Sequence, residues 1–266
     1  MSDNRPVGVF DSGIGGLTVV KNIAKLLPNE NVIYFGDIAR IPYGTKSQET
    51  IQRFAAQTVR FLVEQDVKVI IIACNTISAV AKDIVIELAG NIPVIDVITA
   101  GVNSVNGFKN IGVIATPATI RSNEYTHQIH KLNADVNVYS QSCGLFVPMI
   151  EDGFISGDIV ELVSKEYLNA FVDKSLDALI LGCTHYPIIK ESISRVLCGV
   201  TLVDPSLEAT NILVSLLNDR SILNVDGERS IYKFYVTDIP VKFKQIGEMF
   251  LQTQMNHLEV VDIDNY

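Results

Sequence analysis

What most restricts this chain is an alternation that repeats. "VGVF" from Val7 is an apolar run of strand length; it enters the turn "DSGIGG" and then a segment whose apolar residues Leu17, Val20, Ala24 and Leu27 keep helical spacing. "NVIYFGD" from Asn31 is the next strand, followed by the loop "IARIPYG" and a helix opening near Ser47 with Ile51, Phe54, Thr58 and Leu62 on one side. "VKVIIIACN" then leads into a helix carrying Ile77, Val80, Ala81, Ile84 and Leu88, and "IPVIDV" closes the series. Near Ile111 the order starts again. "IGVIAT" stands for "VGVFDS", "VNVYSQSCG" for "NVIYFGD", "LDALILGCTH" for "VKVIIIACN" and "VTLVDP" for "IPVIDV", each roughly a hundred residues on. We read the repetition as an internal duplication.

Strands alternating with helices at this spacing predict an α/β chain with right-handed crossovers and mostly parallel sheets flanked by helices on both faces. The 266 residues suit one large domain or two modest ones, and the duplication favours two similar domains facing one another across a shared cleft. The expected division is 1–97 plus 207–266 for the first and 98–206 for the second. No long Pro, Gly or Ser linker separates them, which leaves short connections near 96–101 and 204–206 as the hinge. The tail reads as a helix over about 207–217, a polar stretch "NDRSILNVDGERS", the strand "IYKFYVT", a helix near 243–251 and "LEVVDI". It resembles a return to the first domain, although the pattern alone does not assign it. Ligands of such sheets sit beyond the carboxyl ends of the strands, and Asp11, Asp37, Cys74, Thr116 and Cys183 all lie just past predicted strand ends.

Composition narrows the function. A hydrophobic fraction of 48% excludes a disordered chain. The net charge of -9, with no local Lys/Arg cluster to reverse it, disfavours nucleic acid and anionic lipid. "MSDNRPVGVF" is not a signal sequence and the apolar runs are too short to span a bilayer, so we expect a cytoplasmic protein with no membrane partner. Cys74, Cys143, Cys183 and Cys198 show no C-x-x-C or paired zinc-knuckle spacing and are expected to be free thiols. An acidic chain that took an anionic substrate would have to hold it by local backbone N–H groups.

A single cysteine at a strand end is ordinarily a small core residue. Two in matching settings ask for more. Cys74 precedes Asn75 and Thr76, Cys183 precedes Thr184 and His185, and each trio stands before a predicted helix, whose partial positive charge favours thiolate. The plainer reading makes Asn75, Thr76 and Thr184 helix caps. "DSGIGG" with Asp37 imitates a dinucleotide fingerprint, but the glycine spacing is wrong and Asp11 would stand where a pyrophosphate should rest. A dehalogenase-like phosphatase would need a second Asp where Gly13 stands. His127 and His130 have helical ligand spacing without a completing shell, so no metal is expected. A cysteine hydrolase built on Cys183 and His185 leaves Cys74 unexplained.

Acid–base chemistry on both faces of one carbon uses both thiols. One, as thiolate, removes a proton and the other, still protonated, returns one to the opposite face, which inverts a stereocentre without a cofactor. Asp11, Glu151 and His185 are the natural groups to poise them.

At these residues the chain resembles the glutamate racemase family, the cofactor-independent racemases of glutamate. "GVFDSGIGGLTV", "YFGDIARIPYG", "ACNT", "GVIATPATI", "EDG" and "LGCTHYP" occur in the family's order, and the resemblance covers about 7–263. It implies two similar, pseudo-twofold related α/β domains with the active site in the cleft between them, commonly a homodimer, and a role in supplying D-glutamate for peptidoglycan. By motif, Cys74 would exchange the Cα proton on the D-glutamate side, assisted by Asp11, and Cys183 on the L-glutamate side, assisted by Glu151 and His185. Substrate contacts transfer to Asp11, Ser12, Tyr43, Gly44, Asn75, Thr76, Thr184 and His185, with Thr116 and Thr119 as weaker additions. No cofactor is implied. Aspartate racemase is similar in fold and thiol pair but tends to carry Thr-Glu after the second cysteine; Cys183-Thr184-His185 and the "PYG" loop favour glutamate. Only six residues precede Val7, so activation through an N-terminal extension is not expected. Cys143 and Cys198 are expected to be structural. A reversible Cys74–Cys183 redox pair in a binding protein for acidic metabolites is the reading from a different class.

Overall fold

Val, Ile and Phe in the short runs form strands because side chains on both faces of a helix-covered parallel sheet can be buried. The computed structural model describes residues 2–225, 230–239 and 243–266. The first half holds β1 (Val7–Asp11), α1 (Leu17–Leu26), β2 (Val32–Gly36), α2 (Gln48–Glu64), β3 (Val69–Ile72), α3 (Asn75–Val80), α4 (Lys82–Ala89), β4 (Val94–Asp96) and α5 (Val97–Asn103). The second holds β5 (Asn110–Ala115), α6 (Pro117–Ser122), α7 (Glu124–Leu132), β6 (Asn137–Ser142), α8 (Phe146–Glu151), α9 (Asp158–Leu168), β7 (Ala178–Gly182), α10 (Lys190–Val196) and β8 (Thr201–Val203). α11 (Pro205–Asp219), β9 (Tyr232–Val236), α12 (Phe243–Leu251) and β10 (Leu258–Val260) complete it.

All strand pairs are parallel, and the order β2-β1-β3-β4 in one sheet recurs as β6-β5-β7-β8 in the other. This shared order is the structural counterpart of the sequence repetition. The fold is α/β with two domains. β9 pairs with β2 and β10 with β9, which places the strands of the tail on the first sheet. The polar stretch expected at 218–230 runs into 226–229, outside the described residues.

Three local departures from expectation have clear causes. On α1 the inward residues are Leu17, Val19, Val20 and Ile23, while Ala24 is exposed, because Ile23 lies on the core-facing stripe and Ala24 one step round it. The single helix expected after Cys74 is broken at Ala81, whose φ of -135° leaves helical geometry; the Gln52 side chain donates to the freed Val80 carbonyl at 2.9 Å. The connections expected as short hinges are starts of helices. Asp96 caps α5 by accepting from the Thr99 N–H, Asp204 caps α11 by accepting from the Ser206 N–H, and α5 and α11 pack together. Gly101 makes that approach possible, since a Cβ there would stand 3.0 Å from Pro205.

Candidate active site

Each thiol sits where a fully buried strand ends. β3 stops at Ile72 and Cys74 occupies the turn into α3; β7 stops at Gly182 and Cys183 follows at once. A parallel sheet brings such ends to one side, and here the two sheets open onto one cavity of about 350 Å³ lined by both sulfurs. Asp11, Ser12, Tyr43, Gly44, Asn75 and Thr76 line it from the first sheet's loops. Thr116, Glu151, Thr184 and His185 line it from the second. Thr119 stands behind this wall, bonded to the Thr76 and Thr116 hydroxyls at 3.4 and 3.1 Å. Among the described residues no lysine or arginine lines the cavity, so hydroxyls, amides and backbone N–H groups, together with His185, are what can meet an anion. A larger groove of about 470 Å³ between α1, β9 and the segment after α12 contains neither thiol.

On the first wall, burial outweighs the helix end. α3 has only six residues, and burial followed by the negative charge of Asp11 pushes the Cys74 thiol up to about 12. The expectation that its helix would favour thiolate is therefore corrected: in this state Cys74 is a protonated thiol. It lies 3.5 Å from the Ser12 hydroxyl. Asp11 accepts from the Gly16 N–H at 2.9 Å through Oδ2, while its buried Oδ1 has no partner among the described residues. The capping reading also gives way. α3 has no side-chain cap; Thr76 bonds Thr116 at 3.0 Å and Asn75 accepts from Tyr125 at 2.6 Å, both across to the second sheet's helices.

On the second wall, Cys183 Sγ lies 3.8 Å from His185 Nδ1, and His185 Nε2 lies 3.1 Å from Glu151 Oε1. Burial opposes charge on the ring, but the contacts with Cys183 and Glu151 prevail and hold His185 up at about 10. The ring is thus an imidazolium beside one sulfur. The segment after Cys183 is a 3₁₀ turn (Tyr186–Ile189) before α10, with His185 at its start. Gly153, at a φ of +92°, turns the chain away just after Glu151 and Asp152.

Several contacts that matter here escaped the sequence reading, and Asp37, marked there only as lying past a strand end, stands behind the cavity wall. Asp37 accepts from the Tyr43 hydroxyl, from Arg40 Nε at 2.7 Å and from Thr237 at 3.0 Å, while the Arg40 guanidinium stacks 4.0 Å from the Phe54 ring. Tyr43 therefore turns its hydroxyl away, leaving ring and backbone to line the cavity. Phe250 of α12 meets the His185 ring edge-on, 5.7 Å between centroids. Gly16, read as part of an imperfect nucleotide fingerprint, serves close packing instead, since a Cβ there would stand 2.6 Å from that of Asp11; in the "PYG" loop a Cβ on Gly44 would stand 2.9 Å from Thr116. Pairwise spacing along the chain gives no signal for such contacts.

Cys143 is buried and its carbonyl accepts from Tyr186; Cys198 is exposed, and neither lines the cavity. His130 Nε2 lies 3.0 Å from the Val136 carbonyl and His127 lies beside Asn123, so each imidazole has a local partner.

Fold and cavity together define a two-domain α/β protein whose two sheets share one cavity lined by two cysteines. The sequence profile of the Asp/Glu/hydantoin racemase family matches residues 7–213. The chain belongs to that family, and is an isomerase of the racemase class. Glutamate racemase of Neisseria meningitidis is 46% identical over 97% of each chain, and that of Chlorobaculum tepidum 44% identical over 98% of this chain and 97% of the other. Among solved structures, glutamate racemase of Francisella tularensis in complex with D-glutamate superposes with a TM-score of 0.97 at 67% identity, covering 99% of this chain and all of the other. The enzyme of Thermus thermophilus, in complex with beta-chloro-D-alanine, gives 0.90 at 37% identity over the full length of both.

Proposed function

We propose that the chain interconverts L- and D-glutamate by a cofactor-independent transfer of the Cα proton between two cysteines. The observation that carries the reading is the cavity shared by Cys74 and Cys183, each supplied by the equivalent strand of one sheet. The names of the relatives supply the substrate. Starting from L-glutamate, Cys183 as thiolate takes the Cα proton and the electron pair left behind spreads into the adjacent carboxylate. Cys74 then gives its own proton to the opposite face. Its elevation to about 12 suits that donor role, because the thiol is intact at neutral pH. The His185 imidazolium, oriented by Glu151, faces the sulfur on which negative charge appears and disappears. For the reverse direction the role of Asp11 is of the opposite kind: its carboxylate, with Oδ1 unpartnered among the described residues, is the base beside Cys74 that takes the thiol proton. Ser12, Asn75, Thr76, Thr116 and Thr184, with the backbone at Tyr43 and Gly44, are assigned to the two substrate carboxylates; Thr119 orients the threonine pair from behind.

The domain division 1–97 plus 207–266 and 98–206 belongs to this proposal, supported by the sheet membership of β9 and β10. So does a cytoplasmic homodimer that supplies D-glutamate for peptidoglycan without nucleic-acid or membrane partners. Among the described residues no helix is long and apolar enough to cross a membrane.

The test is incubation of the reduced protein with L-glutamate in heavy water without added cofactor, following Cα by proton NMR. Loss of the Cα proton signal with accumulation of D-glutamate is expected. Binding of glutamate with no exchange at Cα rejects the reading and favours a binding protein.

A further inference from the structure

The structure assigns Tyr125 a positioning role: its hydroxyl fixes the Asn75 side-chain amide so that the NH2 group faces the cavity and donates to a substrate carboxylate. This rests on reading the cavity as an amino-acid site. Tyr125 belongs to α7, beside the second sheet, yet its hydroxyl reaches Asn75 Oδ1 of the first at 2.6 Å, and both residues are buried. Its ring is placed by two glycines. A Cβ on Gly101 would stand 3.3 Å from Cε1 and one on Gly182 would stand 3.2 Å from Cε2. Tyr125 therefore touches the residue before Cys183 with its ring and the residue after Cys74 with its hydroxyl. Nothing in its spacing marked it as a site residue.

Chemistry fixes which way the amide points. Burial, reinforced by the charges of Asp96 and Cys183, pushes the Tyr125 phenol well above its ordinary range, so it keeps its proton and can donate. With Oδ1 accepting that proton, Nδ2 is the end left for the cavity that Asn75 lines. Turning the amide round would make the phenol an acceptor and strand its buried proton, which has no other acceptor among the described residues. It would also aim a carbonyl oxygen at an anionic substrate. Both consequences oppose the turned form, so the phenol selects a donor for a cavity that no lysine or arginine lines among the described residues.

The test compares Tyr125→Phe, Asn75→Ala, the double variant and Asn75→Asp with the unsubstituted enzyme, measuring kcat and KM for both enantiomers. Tyr125→Phe, which keeps the ring, is expected to raise KM about tenfold for both with kcat within about threefold. In the Asn75→Ala background the same change should add nothing. Asn75→Asp should raise KM at least about tenfold beyond Asn75→Ala, because the second oxygen then opposes a carboxylate. An unchanged KM in Tyr125→Phe, effects that multiply in the double variant, or Asn75→Asp no worse than Asn75→Ala overturns the inference. A merely structural tyrosine would lower the melting temperature and leave KM alone. Failure of the unsubstituted enzyme to racemise glutamate is a separate result that rejects the functional reading. Amide orientation is then read without substrate: the Asn75 NH2 protons, identified in 15N spectra by their loss in Asn75→Ala, exchange rapidly with cavity water if the inference holds and are protected if it fails.

Discussion

Gly15 and His185 approach so closely that a Cβ on the glycine would stand 2.6 Å from the imidazole Nδ1, and 2.2 Å from the hydroxyl of Thr184. One residue follows β1 and the other β7, so the two sheets are pressed together at the group that faces Cys183. Gly15→Ala must push the second wall back or tilt the imidazole, and overpacking of this kind costs about 1–3 kcal/mol. If the closed arrangement bears that cost, kcat/KM falls roughly ten- to a hundredfold. Steady-state kinetics with far-UV circular dichroism checks this: lost turnover with an unchanged spectrum is expected, and unimpaired turnover would show that the contact carries no catalytic geometry.

The two-thiol scheme predicts that Cys74→Ala and Cys183→Ala each lower racemisation by on the order of 10²–10⁴-fold or more, the range of a lost acid–base group. A symmetry constraint sharpens the test. The enantiomers have equal free energy in water, so kcat/KM must stay equal in the two directions for every variant and at every pH. Polarimetry starting from each enantiomer should show both rates falling together. Near-normal turnover in either variant would end the scheme.

Burial and Asp11 both hold the proton on Cys74, so removing the charge of Asp11 should lower the thiol's pKa from about 12. The direction also sets a stability trend. A thiol raised above its unfolded value stays protonated in the folded chain while the unfolded chain ionises, so its contribution to stability is intact below about 9 and is lost as pH rises from there through 12. Alkylation of Cys74 in the ligand-free protein, followed by mass spectrometry against pH, should still be accelerating at pH 10. In Asp11→Asn the curve should move to lower pH. A plateau near pH 8 in the unsubstituted protein would show that the sulfur is far better solvated than its surroundings allow.

The fold was largely legible because buried parallel strands write themselves as continuous apolar runs: Val69–Ile72 and Ala178–Gly182 have no other stable use. Their strand-end residues were legible for the same reason, since topology carries both to one cavity. The supporting residues were not. Tyr125 against Asn75 and Phe250 against His185 act through contacts between segments far apart in the chain, and each looks locally like an ordinary core residue; Asp37 lies only six residues before Tyr43, in a loop whose geometry the strand and helix alternation does not specify. Which of the two thiols keeps its proton was not legible on the same ground: a helix start is visible beside both in sequence, whereas the depth of burial beside Asp11 is not.

At the other end of the first sheet, just before β3, Lys68 is fully buried and pairs with the buried Glu30 at 2.6 Å. Its ammonium also donates to the carbonyls of Asp3 and Ile222, at 2.6 and 2.8 Å, and Glu30 accepts from the Asn224 N–H at 2.8 Å. One cation thus ties the N-terminal segment, the turn before β2 and the tail together. Lys68→Met strands a carboxylate and two carbonyls in the interior, and breaking a buried pair from one side costs about 3–5 kcal/mol. Glu30→Gln added to it should recover part of that loss, because the remaining amide oxygen can still accept from Asn224 without a buried charge. Urea unfolding measures both. Since Lys68 precedes β3 and Cys74 follows it, kcat/KM per folded molecule should stay within about twofold; loss of activity in excess of lost stability would show that this end of the sheet communicates with the cleft.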